Sequence, residues 1–340
     1  MEGYDNSMAE LNKKLNPDKT YLITGGAGFI GYHLAKRMMQ EGCSKLILLD
    51  NLNAYYDLQL KKDRLKDLEE GGLPFRFLQM DIADREALFS LFEKEKPDIV
   101  INLAAQAGVR YSIEHPEEYI HANILGFFQI LEACRYYPVE HLVYASSSSV
   151  YGMNQKVPFC ESDKADAPVS LYAATKKSDE LMAHAYAKLY NIPCTGTRFF
   201  TVYGPFGRPD MAYYKFAKKI TAKEPIEIYN NGDMRRDFTF VDDVTEALTR
   251  IIPNPPEGDP VPFKVYNIGN QSPVRLMDFV RALEKALGEE AEKVFLPMQP
   301  GDVYETYSDV SELSKDFGFA PHTSIEDGLK SFAEWFKNYK

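Results

Sequence analysis

Thr24-Gly25-Gly26-Ala27-Gly28-Phe29-Ile30-Gly31 lies between a short apolar run, Tyr21-Leu22-Ile23-Thr24, and an amphipathic stretch that opens at Phe29 and stops by Gly42. A strand that enters glycines at 25, 28 and 31 and leaves as a helix needs small residues there. They allow the tight turn, close backbone approach to a pyrophosphate, and close helix–strand packing. The start of the helix adds unpaired N–H groups and the positive end of its dipole. Glycine turns are common, so the loop decides little alone. The continuous apolar run Lys45-Leu46-Ile47-Leu48-Leu49-Asp50 follows it, as a strand covered on both faces would. Asp50 lies about 20 residues on, where a carboxylate accepts from ribose hydroxyls. Asn51 follows, where an arginine would be expected for a 2′-phosphate, so the expected cofactor is NAD.

Outward from the loop, Phe75 to Met80, Asp98 to Leu103 and His141 to Ala145 repeat the strand pattern, with helical spacing between them. Strands alternating with helices predict a Rossmann-type, doubly wound parallel α/β sheet with right-handed crossovers. Asp81 and Ile82 are placed near the adenine, and Leu103, Ala104 and Ala105 beside the cofactor backbone. After about residue 200, Pro and Gly cluster at 204–205, 253–256 and 297–301, and the texture becomes less regular. This divides the chain into a polar extension (1–18), an NAD-binding domain (19–200) and a smaller, mainly substrate-binding α/β region (201–340). Part of the later chain is expected to return to the first sheet.

The chain has 340 residues, 45% of them hydrophobic, enough to bury a core, and its 50 acidic against 39 basic residues give a net charge of −11. That excess argues against nucleic acid or an anionic membrane as the main partner. No run approaches the ~18 apolar residues of a membrane span, and residues 1–18 lack the apolar core of a signal peptide. Cys43, Cys134, Cys160 and Cys194 form no CxxC pair, and His33, His115, His121 and His184 show no metal spacing. A cytoplasmic, metal-free enzyme is the expectation.

Ser146-Ser147-Ser148-Ser149 is expected to close the strand from His141, at the sheet edge where open α/β folds bind ligands. Downstream, Tyr172-Ala173-Ala174-Thr175-Lys176 opens a helix, and spacing of i and i+4 puts phenol and ammonium on one face. An ammonium beside a phenol favours its ionised form, which makes a general base usable near neutral pH. Such a pair is common on surfaces; the serines and the nucleotide loop give it chemistry.

The glycine loop, the serine run with Val150-Tyr151-Gly152, and Tyr172-xxx-Lys176 resemble the extended short-chain dehydrogenase/reductase family over roughly residues 19 to 335. Within it the chain is most similar to nucleotide-sugar epimerases acting at C4 of UDP-glucuronate. That narrower likeness rests on Asp50-Asn51-Leu52-Asn53-Ala54-Tyr55-Tyr56-Asp57, Ala105-Gln106-Ala107-Gly108-Val109-Arg110 and Gly204-Pro205-Phe206-Gly207-Arg208-Pro209-Asp210-Met211. The resemblance implies Tyr172 as base, Lys176 on the nicotinamide ribose and Ser147 on the reacting oxygen. It implies a UDP-sugar substrate and a homodimer built partly on the Tyr172 helix.

Ser148, Ser149, Thr201 and Arg208 are assigned to the uronate carboxylate, and Arg236 to the diphosphate. Gln299 stands where many relatives carry a second diphosphate arginine, and Phe206 where many carry tryptophan. Sugar-nucleotide dehydratases of this family carry an Asp-Glu pair after the catalytic threonine, and decarboxylating relatives a glutamate. Ser147 to Val150 holds neither acid. The alternatives are a 4-epimerase of a neutral or N-acetylated UDP-hexose, and a non-catalytic NAD-binding regulator, which would need a broken triad.

Overall fold

A computed structural model describes residues 13–72, 74–258, 260–298 and 303–339, so Gln299 and the first twelve residues lie outside the described part. The first half alternates as its sequence pattern requires: β1 (Tyr21–Thr24), α1 (Phe29–Gln40), β2 (Leu46–Asp50), α2 (Leu58–Glu70), β3 (Phe75–Gln79), α3 (Arg85–Glu95), β4 (Ile99–Asn102), α4 (Phe127–Tyr136), β5 (His141–Ser147), α5 (Leu171–Tyr190) and β6 (Cys194–Phe199). Seven strands form one sheet in the order β10-β6-β5-β4-β1-β2-β3, with β10 spanning Phe263–Ile268 and every pairing parallel. β1 and β4 are buried on both faces, which is why they read as unbroken apolar runs.

Helices cover the sheet on both sides. Phe29, Tyr32, Leu34, Ala35, Met38 and Met39 of α1 are buried, and α1 packs on one face beside α7 (Val241–Ile251). Residues from α3, α4 and α5 fill the other face. Burying each Leu or Met contributes roughly 1.5–3 kcal/mol, so the two faces hold the fold.

The later chain serves both bodies. β7 (Thr201–Tyr203), β9 (Arg235–Phe240) and β11 (Pro273–Arg275) make a three-stranded sheet, and β8 (Ile226–Ile228) pairs with β12 (Lys293–Phe295). Around them α6 (Ala212–Thr221), α8 (Leu276–Leu287) and α10 (Ile325–Asn338) enclose a second core, where Phe238 stacks on Phe279 at 4.4 Å. β10, α7 and α9 (Ser311–Phe317) instead belong to the large sheet and its core. The two bodies are therefore interleaved in sequence. No described helix is long and apolar enough to cross a membrane.

Candidate active site

The sheet changes direction between β1 and β4: β2 and β3 lie to one side of β1, β4 to β6 to the other. Open α/β sheets form a ligand crevice at such a switch point, and one cleft opens here. Gly25 follows β1 with φ +68°, and a Cβ there would sit 2.8 Å from Ala104 N and Leu103 C. At Gly31 a Cβ would run into the Gly25 carbonyl. These glycines let α1 and the ends of β1 and β4 come together. Gly28, the N-cap of α1, supplies no side-chain cap, and the first turn holds no acid. The helix thus starts with its N–H groups unsatisfied by side chains, an arrangement suited to a pyrophosphate. Asp50 follows at the end of β2, its oxygens held by Ala27 N–H at 3.2 Å and Leu52 N–H at 2.8 Å. These residues fit a dinucleotide.

All of the expected cofactor residues line this one cleft: Gly25, Gly28, Phe29, Ile30, Gly31, Asp50, Asn51, Asp81, Ile82, Leu103, Ala104, Ala105, Tyr172 and Lys176. Ser147 and Arg208 line it too. Ser148, Ser149, Thr201 and Arg236 are not in its lining.

The serine run does not simply close its strand. Ser146 and Ser147 are the last residues of β5, and Ser148 and Ser149 open a short 3₁₀ turn. The backbone therefore splits the four hydroxyls between different jobs. Ser146 donates to Glu180 at 2.7 Å. Ser147 Oγ accepts from Ser149 N–H at 3.2 Å and from Ser149 Oγ at 2.9 Å. Thr201 is half-buried at the start of β7. Arg236, on β9, donates from Nη1 to the carbonyls of Arg235 and Tyr304.

α5 carries Tyr172 and Lys176 and is fixed from behind. Ser170 caps it by accepting from Ala173 N–H. Glu180 forks onto Arg198 of β6 through bonds of 2.7 and 2.8 Å. Burial raises the Glu180 carboxyl pKa, but the Arg198 pairing outweighs it and holds the value below its ordinary range. A buried bidentate pair resists sliding of the helix. From the front, a π-turn at Ile120–Gly126 presents Asn123, whose amide exchanges bonds with the Gln106 backbone and donates to Thr175 Oγ1 at 3.0 Å. Lys176 Nζ donates to the Ala145 carbonyl at 2.9 Å and to Asp179 at 3.2 Å.

Arg208 is no solvated loop residue. Nε and Nη2 fork onto Asp210 at 3.0 and 2.5 Å, and Tyr55 donates to the same carboxylate at 3.1 Å. Burial pulls the Arg208 pKa down, Asp210 raises it more, and the net is upward. Asp210 is raised by burial and lowered further by Arg208, for a net fall.

Several positions escaped the sequence reading. Arg64 of α2 is fully buried and donates to the carbonyls of Ala27 and Phe206 and to the Tyr56 hydroxyl, strapping the glycine loop to the Arg208 loop. Lys61, one turn earlier, lines the cleft 3.9 Å from Asp50 and donates to Asn53; burial lowers its pKa. Asn53, Tyr55 and Gln106 also line the cleft. Their only signal was membership of the Asp50–Asp57 and Ala105–Arg110 stretches. Of the four named histidines, His33 is bonded to the Pro205 carbonyl. No cluster able to hold a metal occurs among the described residues.

The comparisons with known proteins agree with this geometry. The chain is 52% identical over 331 residues to Protein CapI of Staphylococcus aureus, covering 94% of this chain and 98% of that one. It is 43% identical over 346 residues to UDP-glucuronate 4-epimerase 4 of Arabidopsis thaliana, covering 98% of this chain and 78% of the plant protein. The crystal structure of UDP-glucuronic acid 4-epimerase from Bacillus cereus, in complex with UDP-glucuronic acid and NAD, superposes with a TM-score of 0.87 at 33% identity, covering 94% of this chain and all of that one. With residues 21–269 matching its sequence pattern, the chain belongs to the NAD dependent epimerase/dehydratase family.

Proposed function

We propose that this protein interconverts UDP-glucuronate and UDP-galacturonate through a transient 4-keto sugar, with Ser147, Tyr172 and Lys176 as its catalytic residues. The carrying observation is that this triad, the glycine loop and Arg208 line one cleft. The Arabidopsis relative is named for this activity, and the Bacillus cereus structure holds UDP-glucuronic acid and NAD. Bound NAD supplies the hydride acceptor at C4 and later the donor.

The chain's own residues move and hold the proton. Tyr172 takes it from the 4-hydroxyl and returns it after the sugar has turned over. Two of the three Lys176 N–H bonds go to Ala145 and Asp179, which leaves one for a ribose hydroxyl. Ser147 Oγ accepts from Ser149, so its own hydrogen is free to bond the reacting 4-oxygen. Arg236 serves the diphosphate. No acid in Ser147–Val150 is placed to extract a proton for dehydration.

A uronate brings a hazard. Oxidation at C4 makes a β-keto acid, which loses carbon dioxide when its carboxylate bond aligns with the carbonyl π system. Asp210 occupies Nε and Nη2 of Arg208, so Nη1 remains to hold the carboxylate out of alignment. Ser148 and Thr201 stay its proposed hydroxyl partners although neither lines the cleft, whereas the Ser149 hydroxyl hydrogen is already given to Ser147. Purified protein given UDP-glucuronate without added NAD is expected to form UDP-galacturonate. Turnover of a neutral UDP-hexose alone, with no uronate epimer even when NAD is supplied, would overturn this reading.

We also infer a homodimer formed through α5 and the 111–136 segment. Met182 and Tyr186 pack inward, while Leu181 and Leu189 are 61% and 69% exposed and Ile113 is 63% exposed. Light scattering at micromolar concentration is expected to give twice the chain mass; the mass of one chain refutes the dimer. The four free thiols suit a reducing, cytoplasmic setting.

A further inference from the structure

Asp179 is a buried carboxylate paired with a single cation among the described residues, the buried Lys176. It is 1% exposed, its Oδ2 meets Lys176 Nζ at 3.2 Å, and its Oδ1 has no hydrogen-bond partner among the described residues. A buried, half-satisfied charge is unfavourable, and Asn or Leu would fill the space without it. The helix does not depend on Asp179 for anchorage, because Glu180, Arg198 and Ser146 already clamp it. What Asp179 touches is the lysine. Tyr172, Lys176 and Asp179 are spaced i, i+4, i+7, so phenol, ammonium and carboxylate form one stripe of α5.

We propose that Asp179 is a positioning residue for Lys176: its carboxylate fixes the ammonium in the cleft and offsets part of its charge at Tyr172. This rests on the assignment of Tyr172 and Lys176 above. The surrounding charges are accounted for. On α5 itself, Glu180 is neutralised by Arg198 from β6 and by Lys177. From β5, the Tyr144 hydroxyl is buried and has no hydrogen-bond partner among the described residues, and burial keeps it protonated. Lys176 is therefore the cation that Asp179 faces directly.

Burial pushes the Asp179 carboxyl up, against the pull of Lys176, to about 7. Its charge thus changes across neutral pH. When it is ionised, it weakens the field of the ammonium at Tyr172; when it is protonated, the phenol feels that field in full. A permanently neutral side chain should therefore move the acid limb of the activity profile to lower pH. Seven helical residues separate the two by about 10 Å, which at high effective dielectric corresponds to about 0.3–0.6 pH unit. Stability moves the other way from an ordinary salt bridge. An acid whose folded pKa lies above its unfolded value costs stability as pH rises between the two, and the cost is complete above about 7.

The test is the pH profile of kcat/KM for UDP-glucuronate in Asp179→Asn holoenzyme, with its thermal midpoint at pH 8. The acid limb is expected to move down by about 0.3–0.6 unit, and the midpoint to rise above that of the wild type. Asp179→Leu, neutral and of similar size, reads the same quantities should the amide disturb the fold. An unmoved acid limb in both variants, with wild type active and Tyr172→Phe inactive, overturns the role of Asp179 alone. A lower midpoint with activity lost equally at all pH makes Asp179 structural and also overturns it. A fully active Tyr172→Phe overturns the site assignment and this role together.

Discussion

Replacing Tyr172 with Phe is expected to lower kcat for UDP-glucuronate by ~10²–10⁴-fold, the usual worth of a positioned general base, while NAD remains bound. The change removes one hydroxyl and almost no volume. The ring stays edge-on to Tyr119, with centroids 6.0 Å apart, and the Glu180–Arg198 fork that fixes α5 is untouched. Neither the glycine loop nor Asp50 is altered, so the cofactor should copurify and the thermal midpoint should stay close to the wild type. Turnover measured with saturating substrate, together with the NAD content of the purified variant, separates lost chemistry from lost binding. Activity within a few fold of the wild type would remove Tyr172 from the mechanism.

Arg208→Ala is expected to weaken binding of UDP-glucuronate about ten- to a hundredfold more than binding of a neutral UDP-hexose. A charge-assisted hydrogen bond to the carboxylate is worth roughly 1.5–3 kcal/mol, which is that range in affinity. The pairing with Asp210 adds a second effect common to both substrates. With the guanidinium gone, the Asp210 carboxylate keeps the Tyr55 hydroxyl and a backbone N–H as partners but loses its cation, at a cost of roughly 1–3 kcal/mol of stability. Because Arg208 holds the Asp210 carboxyl below its ordinary range, that stability is present above the unfolded carboxyl pKa and is lost as pH falls through the folded one.

Arg208→Ala/Asp210→Asn removes both charges and should recover stability without recovering uronate preference. Only the ratio between substrates reports on carboxylate recognition. A freed carboxylate can also rotate into alignment at the 4-keto stage, so more turnovers should end in carbon dioxide, a 4-keto pentose and reduced cofactor. Equal weakening of both substrates, with no decarboxylated product, would return Arg208 to a purely structural partner of Asp210.

Much of the site was readable from the chain alone because its geometry is local. Glycines at 25, 28 and 31 mark a strand–turn–helix whose dimensions follow from backbone sterics. Tyr172 and Lys176 share a face because a helix repeats every 3.6 residues. The burial of β1, β2 and β4 was written in apolar runs whose polar residues, Thr24, Asp50 and Asn102, fall at the C-terminal ends. Those patterns fixed the parallel sheet, the nucleotide loop at its switch point, and the residues that meet there.

The partners of those residues were set by folding. The division of the serines between β5 and the following turn depends on how far β5 remains paired with β6, through Ser147 opposite Phe199. Tyr55 reaches Asp210, 155 residues on, across the same two loops that Arg64 ties together through the Phe206 carbonyl. Asp179 could be placed on the stripe of Tyr172 and Lys176 by counting, yet its burial and its oxygen without a partner among the described residues follow from how α5 packs against the sheet and its neighbours. Spacing along a helix or turn is a property of the backbone, whereas depth and long-range pairing depend on which faces pack. Depth decides whether a carboxylate carries charge at neutral pH, so counting along the chain puts Tyr172, Lys176 and Asp179 on one face of α5, and only packing sets what surrounds them.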